Sequence, residues 1–123
     1  MAFIADYILD AALAKLDTEA NRLDICTQEP VTYAEATSTY TKGNKTALSV
    51  GAPTDRTPNG RKVTVAAITD GSVSGTGTAT HWAVTDTANT RLLATGSLTV
   101  PQVVTNGNVF TLGAFDVGIP DAA

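Results

Sequence analysis

Side chains that could act as nucleophiles or bases are few in this sequence and far apart. Cys26 and His81 are its only cysteine and only histidine. A nucleophile needs a base and an orienting group within hydrogen-bond reach, and no Gly-x-Ser-x-Gly or comparable motif occurs. Cys26 lies in the apolar run Leu23–Thr27, which indicates a buried thiol rather than a reactive one. His81 precedes Trp82 in a predicted strand, which favours a histidine on the sheet surface or at an interface.

The acidic residues do not form a recognisable metal or proton-sharing site. Asp6, Asp10 and Asp17 fall on one stripe of a predicted helix, where paired carboxylates can bind a cation or share a proton. A solvated helix face accounts for the stripe equally well, and no calcium-loop spacing is present. The glycines of residues 71–77 are followed neither by a helix nor by Lys-Ser/Thr, so they do not form a phosphate loop. The sequence therefore predicts no catalytic residue, no metal site, no cofactor and no enzymatic activity.

The size and composition indicate one acidic globular domain. The chain has 123 residues, of which 43% are hydrophobic, enough for one core without disulfides. Its net charge of −4 opposes binding to nucleic acid, and its basic residues are scattered. The first residues include acidic side chains but no basic cluster, and no apolar run has the length of a membrane span. We therefore expect no secretion signal and no membrane partner, and a protein that is made and kept in the cytosol or is assembled there into something larger.

Residues 3–17 form the one long helical pattern of the chain. At 100° per residue the apolar positions cover nearly the whole circumference, whereas an ordinary surface helix has an apolar stripe only somewhat wider than ~100°. Such a helix is either sandwiched between two layers of its own fold or covered by a neighbouring subunit, and in so small a β domain we favour the neighbour. We therefore expect residues 1–20 to be an interface element. Its predicted contact residues are Phe3, Ile4, Tyr7, Ile8, Ala11 and Leu13.

Residues 21–123 predict a β domain of about seven short strands. The clearest hairpin is Ala79–Leu98, in which one strand carries Trp82 and Val84 on the same face before the chain returns antiparallel. Thr-rich, alternating segments favour a mainly β fold: an antiparallel β-sandwich of two sheets after the N-terminal α-helix, with immunoglobulin-like and jelly-roll-like topologies both open. The predicted core consists of Ile25, Val63, Val65, Trp82, Val84, Leu93, Phe110, Leu112, Phe115, Val117 and Ile119.

The order of several segments is distinctive over nearly the whole chain. These segments are FIADYILDAAL (residues 3–13), LDICTQEP (23–30), NGRKVTV (59–65), THWAV (80–84), LLATGSL (92–98), FTL (110–112) and FDVGIP (115–120). In this order they resemble a family of small structural proteins that are encoded in the virion modules of tailed bacteriophages and prophages.

The resemblance implies a virion component present in many copies, assembled in the cytoplasm of a bacterial host. Its implied partners are further copies of itself, forming a homo-oligomer that we expect to be a trimer, and another virion protein such as the major capsid protein. We favour a capsid decoration or cement protein, which stabilises the head through contacts between subunits. The alternative is a tail or tail-fibre component, acting as an adaptor or as a receptor-contacting β domain.

A third hypothesis is a small module that binds carbohydrate or another ligand. Trp82, Tyr33 or Tyr40 would then provide a stacking surface, which requires an aromatic ring exposed on one face of a sheet. Only 6% of the residues are aromatic, and Trp82 alternates in phase with Val84. This pattern favours a core tryptophan over a stacking platform.

Overall fold

The computed structural model describes residues 4–120 and is mainly β, with a single α-helix before the strands. Every strand pairing within these residues is antiparallel, which confirms the predicted fold class at this level. The elements are α1 (Asp6–Glu19), β1 (Arg22–Cys26), one π-helical turn (Glu35–Thr39), β2 (Thr41–Thr46), β3 (Thr54–Asp55), β4 (Arg61–Val65), β5 (Ile68–Val73), β6 (Gly77–Asp86), β7 (Arg91–Val104), β8 (Val109–Leu112) and β9 (Phe115–Ile119).

Six of the strands form one large sheet in the order β7-β6-β1-β2-β5-β8. The first strand of the chain is therefore central, and both of its faces are covered. Alternation places Leu23 and Ile25 in the main core, while Asp24 and Cys26 point to the opposite face beneath the π-helical turn. The sheet curls so that its two edges approach each other: the side-chain amide of Gln102 on β7 donates to the Thr111 carbonyl of β8 at 3.0 Å.

The predicted hairpin of residues 79–98 is confirmed as the pair β6–β7. Its turn is stabilised by Asp86, whose carboxylate accepts from the backbone N–H of Ala88 at 3.1 Å and from the Asn89 side chain at 2.7 Å. This is the local hydrogen bonding for which Asp is favoured in turns. The strands are not in simple register, because residues 98–101 of β7 face only Thr80 of β6. The resulting bulge widens the space beside Trp82.

The remaining three strands form a small sheet in the order β3-β4-β9. Val63 of β4 pairs with Val117 of β9, and Gly60 makes the preceding turn with a φ of 90°. A Cβ at Gly60 would collide with the Ile119 carbonyl, so this position requires glycine. The aromatic pair Trp82–Phe115, with ring centroids 4.5 Å apart, joins the small sheet to the large one.

In the structure each of the predicted core residues is either buried or half-buried. Ile25, Val63, Val65, Val84 and Phe110 are buried. The half-buried residues are Trp82, Leu93, Leu112, Phe115, Val117 and Ile119.

Alternation in the sequence predicts one strand over residues 61–68 and a short strand over residues 45–50, and both predictions are wrong. A single strand over 61–68 is broken after Val65, because the chain leaves the small sheet there and Ile68 begins β5 in the large one. A short strand over 45–50 lies instead at Thr41–Thr46, while Val50 makes only an isolated bridge to Val65. Both errors have one cause: alternation reports which side chains are buried, and it does not report which sheet buries them.

Candidate functional site

The helix α1 has one face inside the fold and one outside it. Leu9 and Leu13 are only 3% and 2% exposed, and the helix packs along β4. On the other side Tyr7 is 81% exposed and Ile8 57%. Single exposed apolar residues are common, and Tyr7 and Ile8, which are adjacent and large, make this side of the helix a candidate interaction surface.

The predicted interface residues do not all lie on that outer side. Tyr7, Ile8 and Ala11 on the helix are exposed and Ile4, just before it, is half-buried, and we call these four residues the helix face. Leu13, predicted as an interface residue, does not lie on the outer side, because its side chain is buried by its own chain and is not available to a partner. It lies nearly opposite Ala11 around the helix, because two residues advance the direction by 200°. Phe3 lies outside the described residues.

An ion-pair cluster fixes the helix against the small sheet. The Arg61 guanidinium donates to both carboxylate oxygens of Asp10, from Nε at 2.7 Å and from Nη2 at 3.2 Å, and its Nη1 pairs with Asp55. These bonds, with the Asp10 bonds the largest cause, raise the pKa of Arg61 above its usual range. The bidentate geometry fixes direction as well as distance. The cluster therefore sets the orientation of the helix without using any residue of the helix face.

Three further large apolar residues are exposed on the two edge strands of the large sheet. Val100 is 69% exposed, Val103 82% and Val109 69%, and we call these three residues the valine patch. Residues 92–114 contain no charged side chain, although β7 and β8 are the two edge strands of the large sheet. Natural edge strands are commonly protected by charges, bulges or proline, and here Pro101 and the bulge provide the protection.

A cavity of about 320 Å³ opens between the β7 bulge and the residues that connect β8 to β9. Trp82 and Phe115 line it together with residues 97–100, Gln102 and Leu112. A Cβ on Gly96 would lie 2.5 Å from Cζ2 of Trp82, so the indole occupies the space that any other residue at 96 would need. Trp82, Tyr33 and Tyr40 are half-buried, so none of them is the fully exposed stacking ring of the third hypothesis.

Cys26 and His81 are cross-strand partners in the pair β1–β6, which the sequence did not reveal. They do not form a catalytic pair. Burial raises the pKa of the Cys26 thiol to about 12, and its Sγ donates to the Ala36 carbonyl. The Thr80 hydroxyl donates to the Thr27 carbonyl, so it accepts a hydrogen bond from Nδ1–H of His81. A thiol that stays protonated at neutral pH is not a nucleophile.

The outer face of β1 contains a buried charged group with a structural function. Asp24 is 0% exposed and accepts two bonds from Arg22, at 2.7 and 2.9 Å, and one from the Thr41 hydroxyl at 2.7 Å. Burial raises the pKa of Asp24, and the bonds from Arg22 and Thr41 offset part of that effect. Arg22 also donates to the Thr37 carbonyl at 3.4 Å. The network thus connects the central strand to the π-helical turn.

The acidic stripe predicted on the helix does not gather into a metal site. Asp10 pairs with Arg61, whereas Asp6 and Asp17 are exposed. Across residues 4–120 no three His, Cys, Asp or Glu side chains are grouped as metal ligands.

Comparisons with known proteins give no relative: no family model matches the sequence, and neither a curated protein nor a solved structure matches it significantly. Within the described part of the chain no helix is both long and apolar enough to cross a membrane.

Sequence reasoning missed three features of these surfaces. The Asp10–Arg61 pair joins residues 51 positions apart, and one sequence contains no signal for it. The approach of Trp82 to Gly96 depends on the register of β6 and β7. The uncharged segment 92–114 was visible in the sequence, but only the strand order shows that it forms the edges of a sheet.

Proposed function

We propose that this protein is a structural component of a tailed-bacteriophage virion and that it acts as a capsid decoration or cement protein. The observation that carries the proposal is the helix face: Tyr7 and Ile8 stand in solvent on a helix whose other side is locked into the fold. The order of segments described above supports the phage assignment.

Burial of the helix face against a partner would supply enough free energy for a contact that is repeated many times. Burying one large apolar side chain contributes about 1.5–3 kcal/mol. Tyr7 and Ile8, with the exposed part of Ile4, therefore offer several kcal/mol per copy, from which the cost of association is subtracted. A modest contact of this kind becomes effective when it is repeated across a shell.

The proposed partners are further copies of this chain, arranged as a trimer, and the major capsid protein beneath them. In this arrangement the two sheets form the layers of a β-sandwich that faces outward. The Trp82–Phe115 contact supports the sandwich, as does the packing of Leu48 and Val50 against the buried residues of the large sheet.

The valine patch favours a second candidate, a tail or tail-fibre component. An uncharged sheet edge with exposed valines is suited to joining a longer β structure without leaving a charge unpaired. Proteomic analysis of purified virions, with heads and tails separated, distinguishes the two candidates. The decoration proposal predicts this chain in the head fraction, recovery with tails supports the alternative, and absence from both fractions contradicts the phage assignment.

The contact itself is tested by sedimentation of the purified protein over a range of concentrations. We expect a reversible oligomer in the wild type and an increase of at least about tenfold in its dissociation constant in the Tyr7→Asp/Ile8→Asp variant. The matched control is Val31→Asp, since Val31 is also a large apolar residue, is 77% exposed and lies outside the helix. A monomeric wild type, or an equal loss of association in the control, contradicts the proposal.

A further inference from the structure

The cavity beside Trp82 contains hydrogen-bonding groups that the fold itself leaves unused. The indole N–H of Trp82 has no hydrogen-bond partner among residues 4–120, although the ring is half-buried. A tryptophan N–H in such a position usually finds a partner. Ser97 and Thr99 add two hydroxyl groups to the same wall, also without partners in the described part of the chain.

Gln102 is held in a defined orientation at the opposite side of the bulge. Its amide nitrogen donates to the Thr111 carbonyl across the seam between β7 and β8, which leaves its Oε1 free to accept. The lining residues therefore include one unpaired donor, the Trp82 N–H, one unpaired acceptor, Gln102 Oε1, and the hydroxyls of two exposed residues. Leu98, Leu112 and Phe115 supply apolar contact between them.

The chemistry of the lining restricts what can fill this space. No lining residue is charged, and none of residues 92–114 is, so an ionic ligand would find no counter-charge. A purely apolar group, such as a leucine side chain of a partner, would bury the Trp82 N–H without a partner and lose its hydration. An occupant that suits this lining is neutral and combines hydrogen-bonding oxygens with apolar C–H surface.

We infer that this cavity, which we call the Trp82 site, binds one neutral pyranose ring of a saccharide. A volume of about 320 Å³ is at the lower end of the range for small-ligand sites, which suits a single sugar ring. A sugar oxygen accepts from Trp82 Nε1, and a sugar hydroxyl donates to Gln102 Oε1. The ring contacts Phe115 and Leu112 through its C–H groups. The inference does not depend on the proposed virion function, since it uses none of the residues of the helix face.

The site supplies its own reporter, because Trp82 is the only tryptophan of the chain. Its fluorescence is followed during titration of the wild-type protein with three probes: methyl α-D-glucoside, methyl β-D-galactoside and N-acetylglucosamine. We expect a saturable change with at least one probe and a dissociation constant of about 1–10 mM, since a single ring forms few contacts. No saturable change with any of the three overturns the inference.

Variants separate recognition of a sugar from nonspecific filling of the cavity. Gln102→Ala and Trp82→Phe each remove one hydrogen bond, and each should weaken binding about tenfold. Trp82→Phe keeps an aromatic ring beside Phe115 and is followed by saturation-transfer NMR, because its fluorescence is lost. The control Val103→Ala changes an exposed residue outside the cavity and should bind as the wild type does.

Two further outcomes are decisive. Circular dichroism of each variant excludes unfolding as the cause of lost binding. Equal affinity of the wild type, Gln102→Ala and Trp82→Phe overturns the inference. So does preferential saturation by N-acetylleucine amide, a probe of the same size with an apolar side chain, which would make the cavity a pocket for a peptide side chain.

Discussion

The helix face and the valine patch both expose apolar side chains to water, but the fold holds them by different means. The helix is fixed by Leu9 and Leu13 beneath it and by the Asp10–Arg61 pair beside it. The valine patch lies on edge strands with no charge over residues 92–114. On the helix the residues that stabilise the fold are separate from those that can meet a partner. On the sheet edge the exposed valines belong to the same strands whose pairing holds the sheet together. A substitution on the outer side of the helix can therefore change contact with a partner without changing stability, whereas a substitution in the edge strands can change both.

The largest expected effect tests that separation directly. Leu13→Ala removes a side chain that is 2% exposed and should lower the free energy of unfolding by about 2–5 kcal/mol. Tyr7→Ala, on the outer face of the same helix, should change it by no more than about 0.5 kcal/mol. Urea unfolding of both variants gives the comparison. Similar losses in the two would mean that the outer face also stabilises the monomer.

The corresponding test on the sheet edge is a substitution in β7 at Gly96, which lies against the Trp82 indole. Gly96→Ala places a methyl group against the Trp82 indole and should destabilise the fold by about 1–3 kcal/mol, since the ring must move away from β7. The measurement is thermal unfolding, with tryptophan fluorescence as a second readout. Gly107→Ala is not a suitable control because its φ is 90°, whereas Gly113→Ala has open space and serves better. An unchanged midpoint for Gly96→Ala would show that the indole is free to move.

The ion-pair cluster should control the order of the helix more than the stability of the whole fold. Arg61→Met keeps much of the apolar side-chain length but removes the bonds to Asp10 and Asp55. We expect hydrogen exchange of the α1 amides to rise severalfold, while the amides of β6 and β7 are unchanged. Lys15→Met is the matched control, since it removes only the exposed i,i+4 pair with Glu19. Equal exchange rates of the α1 amides in the two variants would show that Arg61 does not orient the helix.

The smallest expected effect is on the stability of the fold at acidic pH. The Asn89 side chain and the turn N–H groups lower the pKa of Asp86 from its usual 3.8. The stability from this carboxylate is present above that value and is lost as the pH falls through the lower, folded-state pKa. Asp86→Asn should flatten the loss of stability below about pH 4 in urea unfolding series. A curve with the wild-type slope would assign the acid sensitivity to other groups, such as Asp116, whose pKa the Thr64 and Lys62 contacts also lower.

The sequence predicts local structure here better than it predicts partners. The helix and the β6–β7 hairpin follow from periodicity and turn residues, and the structure confirms both, although β7 continues past the predicted end of the hairpin to Val104. Leu13 was assigned to the wrong side because a helix that is apolar nearly all round gives no direction for its buried face. That direction is set by Arg61 and β4, which are distant in sequence.

The candidate surfaces were predictable to different degrees for the same reason. Tyr7 and Ile8 were expected at an interface from the excess of apolar residues alone. The Trp82 site needed the β7 bulge, the Gln102–Thr111 bond and the position of Phe115, which come from three separate strands. Composition can show that a chain has more apolar side chains than its fold can bury, but strand register determines which side chains surround a cavity.

Thiol labelling of a cysteine placed on the helix face tests the central claim most directly. Cys26 is buried and its pKa is raised to about 12, so the native protein contributes little background reaction. Ile8→Cys should react rapidly in the dilute monomer and be protected at least about tenfold in the oligomer or in virions, while Val31→Cys reacts equally in both states. Full reactivity of Ile8→Cys in the assembled state would show that no neighbour covers the helix, and it would contradict the account.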